Sequence, residues 1–167
     1  MTPFSIVHHF ETDRDTFWKI FFHEPYNEEL YQRIGVKERR LLEKAETPEG
    51  IHFVVRIMPR RDLPGFLKKL IGGDLGYTEI STWHRATDTI DVRVEPTLVK
   101  DKVEIKALYK LEPDGPGRLK RTFAGTISVD VLLVGRKVEE FVIADMTRAY
   151  DTAAQVTSEW IRHKKLA

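Results

Sequence analysis

Two ionisable side chains stand where a strand pattern asks for apolar ones. Glu79 shares its parity with Tyr77, Ser81 and Trp83, and Arg121 shares its parity with Leu119, Phe123 and Gly125. Residues of one parity lie on one face of a strand, so both charges are expected to point inward. An inward charge must be paired or it is costly. A Glu79–Arg121 ion pair would satisfy both groups and leave guanidinium donors for a ligand carboxylate or carbonyl. If a bulge shifts the register instead, both ends return to solvent, because a one-residue slip exchanges the faces.

His8 lies between Ile6 and Phe10 on the apolar face of the first strand pattern. It is a candidate acid–base or ligand-contacting group, against the plainer expectation of a satisfied core histidine. The six histidines, His8, His9, His23, His52, His84 and His163, show no HExxH or similar spacing, and His8 and His9 face opposite sides of a strand. No metal is expected. There is no GxSxG, P-loop or GxGxxG, and Gly72–Gly73 reads as a helix end rather than a phosphate cradle. No catalytic residue is assigned, and no cofactor is expected.

These groups must be positioned by a chain of 167 residues, enough for one domain with a core of its own. With no cysteine there is no disulfide framework or thiolate chemistry, and a cytoplasmic location is expected. Lys plus Arg number 27 against 26 for Asp plus Glu, interspersed rather than in blocks, which argues against a nucleic-acid footprint. MTPFSIVHHFETD has no basic leader followed by an apolar core, and no apolar stretch approaches the roughly 18 residues a membrane span needs.

Alternation over Phe4–Phe10 predicts a first strand. A capping box at Thr12 and Asp15 opens a short helix carrying Phe17, Trp18, Ile20, Phe21 and Phe22, which Pro25 stops. A second helix is expected from Asn27 to Gly35, with Leu30, Tyr31 and Ile34 on its apolar face. From Val36 to Val131 the period becomes two, with breaks at residues 47–50, 86–89, 99–102 and 113–117, the pattern of an antiparallel meander. One insertion, RDLPGFLKKLIGGD, predicts a short amphipathic helix over Asp62–Ile71, ended by Gly72 and Gly73. Its inner face, Phe66, Leu67 and Leu70, would gate whatever lies beneath. After LLVGRK a stripe of Val138, Val142, Met146, Ala149, Ala153, Val156 and Trp160 marks one long closing helix of about six turns. Glu139 and Glu140 suit its positive end, and Arg162, Lys164 and Lys165 its negative end.

The order strand, two short helices, antiparallel sheet and long C-terminal helix resembles the helix-grip fold of the START-like superfamily, which includes the birch pollen allergen, lipid transfer domains and polyketide cyclases. The likeness is carried by FETDRDTFWKIFFHEPYNEELYQ, FLKKLIGGDLGYTEISTW and TFAGTISVDVLLVGRKVEEFVIADM, and is strongest toward an uncharacterised bacterial branch. It implies an α+β domain whose curved sheet wraps the last helix around an apolar cavity. In that setting Ala149 and Ala153, one turn apart, leave room against the sheet; close helix–sheet packing is the alternative. Tyr77, Trp83, Tyr109 and Tyr150 could place hydroxyl or indole donors at the cavity edge. The expected cavity set is Glu79, Trp83, Tyr109, Arg121, Phe123, Met146, Ala149 and Ala153. The resemblance implies binding or transfer of a small hydrophobic molecule, lipid-, sterol- or polyketide-like, with at most transient membrane-surface contact. A cyclase-type enzyme using the same cavity, or a module with an empty cavity, are the alternatives.

Overall fold

The computed structural model describes residues 1–59, 63–71, 76–97 and 101–163, without the side chains at 70 and 71. Its elements run β1 (Thr2–Phe10), α1 (Arg14–Phe21), α2 (Glu24–Ile34), β2 (Val36–Thr47), β3 (Gly50–Pro59), α3 (Gly65–Ile71), β4 (Tyr77–His84), β5 (Thr89–Pro96), β6 (Val103–Pro113), β7 (Leu119–Val129) and α4 (Gly135–His163). The strands form one antiparallel sheet in the order β1-β7-β6-β5-β4-β3-β2. Successive hairpins lay down β2 to β7, and β1 then pairs with β7, with Phe4 opposite Gly125 and His8 opposite Arg121. With α4 held in the curve of the sheet, this is the helix-grip arrangement.

The first helices start differently from the sequence expectation, for local reasons. Asp13, and not Thr12, caps α1: its carboxylate accepts from the Thr16 amide at 2.9 Å and the Thr16 hydroxyl at 2.8 Å. Helix α2 begins at Glu24, three residues before Asn27, because Pro25 sits in the first turn, where its missing N–H costs nothing. Asn27 instead donates from its side chain to the carbonyls of Phe21 and His23, tying the two helices together. The end at Gly35 is as expected, with φ of 93°, a left-handed cap that glycine adopts without strain. In the insertion the helix covers Gly65–Ile71; Asp62, Gly72, Gly73 and the Leu70 side chain lie outside the described residues, as do Lys164 and Lys165.

Alternation buries Phe4, Ile6 and Phe10 of β1 and Leu119, Phe123, Ile127 and Val129 of β7 against α4. From α4 come Val138, Ala153, Val156 and Trp160. Gly125 permits a close approach of β6 here, since a Cβ there would stand 2.0 Å from the Lys106 carbonyl oxygen and 2.6 Å from the Ala107 Cα. Glu139, placed near the positive end of α4 as expected, does more than complement the helix dipole. It is buried and accepts from the Val129 amide at 2.9 Å and from the Thr2 hydroxyl, which fastens the start of α4 to both edges of the β1–β7 pair. Those hydrogen bonds, Thr2 first, hold its carboxyl below the usual range. Among the described residues no helix is long and apolar enough to cross a membrane.

Candidate functional site

Between the sheet and α4 lies a cavity of about 320 Å³. Its walls are mostly apolar: Val55, Ile90, Val92 and Ile105 from the strands, Leu30 and Ile34 from α2, Leu63 and Leu67 from the insertion, and Val142 and Met146 from α4. Ala149 and Ala153 both line it, but unequally. Ala149 is half-buried with its surface toward the space, whereas Ala153 also packs against Ile20, Tyr26 and Leu30. A curved sheet gripping a helix that presents alanine in place of a long side chain leaves this volume unfilled, as close-packed interiors otherwise do not.

Glu79 and Arg121 both face the cavity, and the expected pair between them does not form. Among the described residues no hydrogen bond or ion pair joins them. The reason is strand order. Glu79 is on β4 and Arg121 on β7, with β5 and β6 between them, a separation of about 14 Å along the sheet at about 4.8 Å per strand. Each charge is handled separately.

Arg121 is 2% exposed. Its Nη2 donates to His8 Nδ1 at 2.8 Å and to the Tyr150 carbonyl at 3.2 Å, and its guanidinium lies 5.1 Å from the ring centres of Phe10 and Tyr150 and 5.8 Å from that of Tyr109. Its Nε is buried without an acceptor among the described residues. Because a guanidinium only donates, His8 Nδ1 must accept, so the Nε2 proton points to Asp151 at 2.7 Å. Burial and then the Arg121 charge lower the His8 pKa, against the raising effect of Asp151. His8 is thus a neutral bridge from an exposed carboxylate to a buried cation.

Glu79 makes no hydrogen bond among the described residues, and its carboxyl faces the cavity rather than bulk water. Loss of solvent pushes its pKa up to about 7, partly opposed by the Arg39 guanidinium. Arg39, whose side chain is 20% exposed, stacks over Tyr31 at 4.9 Å and meets Glu24 at 3.3 Å at the surface. Tyr150 lies flat on Phe123, ring centres 4.4 Å apart, and burial raises its hydroxyl pKa well above the ordinary value. Burial also raises the pKa values of Tyr31 and Tyr109. Tyr77 and Ser81 complete the polar lining on β4.

Of the residues expected at the cavity, Glu79, Tyr109, Arg121, Phe123, Met146, Ala149 and Ala153 line it, as does Leu67. Trp83 does not. It is packed into an aromatic cluster, 5.3 Å from Trp18 and 5.1 Å from Phe22, and its indole N–H has no acceptor among the described residues. Phe66 is also off the cavity, with Lys137 Nζ 4.4 Å from its ring centre. Sequence reasoning missed Arg39, since register shifts between Val36 and Glu38 and between Leu41 and Glu43 break the parity of β2. Tyr31 was legible only as part of an apolar helix face. Among the described residues no cluster of three metal-ligating side chains occurs.

Several solved structures share this architecture. Norcoclaurine synthase from Thalictrum flavum, in complex with dopamine and hydroxybenzaldehyde, is similar with a TM-score of 0.68 at 12% identity, over 98% of this chain and 89% of that one. Zhui aromatase/cyclase from Streptomyces sp. R1128 is similar with a TM-score of 0.64 at 14% identity, over 95% and 92%. A START superfamily protein from Mycobacterium smegmatis is similar with a TM-score of 0.56 at 14% identity, over 98% and 99%. Identities this low establish a common fold and nothing finer. No curated protein matches the chain. The sequence profile of DUF2505, described as a protein of unknown function, matches residues 5–161, and the chain therefore belongs to that family.

Proposed function

We propose that the protein binds or carries a small hydrophobic molecule in the cavity between the sheet and α4. The observation that carries this reading is the cavity itself: about 320 Å³ of space with mainly apolar walls and a few inward polar groups. Volume and lining of this kind suit a small organic ligand, with burial of its apolar surface as the driving force. The similar norcoclaurine synthase holds dopamine and hydroxybenzaldehyde, which supports the use of this fold for small organic molecules. In this reading Tyr109, Phe123, Met146 and Ala149 shape the site, Glu79 and Arg121 orient the ligand, and α3 acts as a gate through Leu67. The work is done in the cytoplasm, with no more than passing contact with a membrane surface.

The test is uptake of the neutral dye N-phenylnaphthylamine, whose fluorescence rises in apolar surroundings. The wild-type protein should show saturable uptake, and Ala149→Phe should abolish it while the fold persists. Unsaturable uptake, or uptake unchanged in a folded Ala149→Phe protein, would remove the cavity from consideration. One observation favours a second reading, proton transfer on a bound carbonyl compound: an acid that changes charge near neutrality inside an apolar space is suited to that chemistry. Product formation from a polyketide-like substrate that is lost in Glu79→Gln would select it.

A further inference from the structure

We propose that the cavity is built for a hydrophobic molecule that ends in a carboxylate, with the carboxylate seated on the guanidinium of Arg121. The proposal rests on the reading of the cavity as a ligand site and adds the chemistry of the headgroup. Arg121 is a cation 2% exposed, and among the described residues the contacts that hold it are neutral: the His8 ring, the Tyr150 carbonyl, the Tyr109 hydroxyl and three aromatic faces. No carboxylate of the described residues approaches it within salt-bridge distance, and Nε has no acceptor. Buried charges are ordinarily paired with an opposite charge.

The carboxyls that share the cavity do not supply that partner. Asp145 is engaged by Arg148 at 3.4 Å. Glu79 lies three strands away and, with its pKa pushed up to about 7, carries only part of a negative charge at neutrality. The cavity therefore presents a positive charge at the Arg121 end and, at the other, an acid only partly ionised near neutrality. A ligand carboxylate completes this arrangement, because its planar pair of oxygens matches the guanidinium fork. An alcohol leaves the charge unmatched, and an amine adds a second one.

The experiment compares decanoic acid, decanol and decylamine, which share one tail, by titration calorimetry on the full chain at about pH 6.5, where the lowered pKa keeps His8 mostly neutral. Decanoate should bind roughly tenfold or more tighter than decanol, the scale of one charge-assisted pair, and decylamine most weakly. The groups facing Glu79 are Arg39 of β2, Tyr31 of α2 and Tyr150 of α4; Arg121 and Tyr109 flank the other end, and Asp145 shares the cavity. Raising the pH through about 7 ionises Glu79, so the preference for decanoate should shrink in the wild type and persist in Glu79→Gln.

Arg121→Gln should equalise acid and alcohol. Should that variant not fold, the headgroup series on the wild type and the Glu79→Gln comparison still decide. Decanol binding as tightly as decanoate would overturn the carboxylate proposal and leave the hydrophobic site standing. Binding of none of the three would sink both.

Discussion

Glu79→Gln keeps the shape of the side chain and removes its ability to ionise, so it isolates what an acid in the cavity costs the fold. The Glu79 pKa is raised from 4.5 to about 7 by desolvation. At about 1.4 kcal/mol per unit, this corresponds to about 3 kcal/mol, an upper bound because cavity water screens the charge. The folded state holds this proton more tightly than the unfolded chain. Stability from this group is therefore complete below the unfolded value and is lost as pH rises through about 7. Urea denaturation of both proteins should give similar stabilities near pH 4.5 and a growing advantage for Glu79→Gln above that, reaching up to about 3 kcal/mol near pH 8. A variant less stable than the wild type near pH 8, or a difference that stays flat with pH, would mean that the carboxylate is solvated or neutralised by a cation, and the reasoning about the cavity's polar end would fail.

Two alanines one turn apart should respond differently to added bulk. Ala153→Leu meets Ile20, Tyr26 and Leu30 and should cost about 1 to 3 kcal/mol by thermal denaturation, whereas Ala149→Phe fills open space and should cost less than about 1 kcal/mol; equal losses would contradict the unequal surroundings described above. His8 should titrate below the ordinary histidine value of 6.5 by NMR, and Asp151→Asn should lower it further, because Asp151 is what raises it; the stability His8 contributes as a neutral group is present above 6.5 and lost as pH falls through its folded value. An unchanged or higher His8 pKa in the variant would show that the Arg121–His8–Asp151 chain is not formed. Amides of residues 63–71 should exchange faster than those at the centre of α4, with protection rising on addition of decanoate; exchange as slow as in α4 would make α3 fixed structure and not a gate.

Periodicity is a local property, and what depends on it was readable. The parities of β1 and β7 and the stripe on α4 place Phe10, Phe123, Val138 and Trp160 as the sequence predicts, and the inward direction of Glu79 and Arg121 follows from the same alternation. Their partnership was not readable, because it depends on which strands lie side by side: β5 and β6 separate them, and Arg121 instead turns to His8, directly opposite on β1. Arg39 was hidden by the irregular register of β2, which breaks the alternation that would have pointed it inward. Trp83 has the parity of a cavity residue, yet it stands at the end of β4 covered by Trp18 and Phe22, a contact set by how α1 crosses the sheet. Glu139 reads only as an acid at the positive end of α4; its hydrogen bond with Thr2 depends on β1, which arrives from the opposite end of the chain.

The central claim, that the space beneath α4 holds a hydrophobic molecule, is tested most directly by native mass spectrometry of the gently purified protein. The expected result is a population heavier than the bare chain, the added mass released on denaturation and recovered as a small organic compound, and that population lost in Ala149→Phe. A wild-type protein that flies only at the mass of the bare chain, and stays so after incubation with decanoate, decanol and N-phenylnaphthylamine, would contradict it.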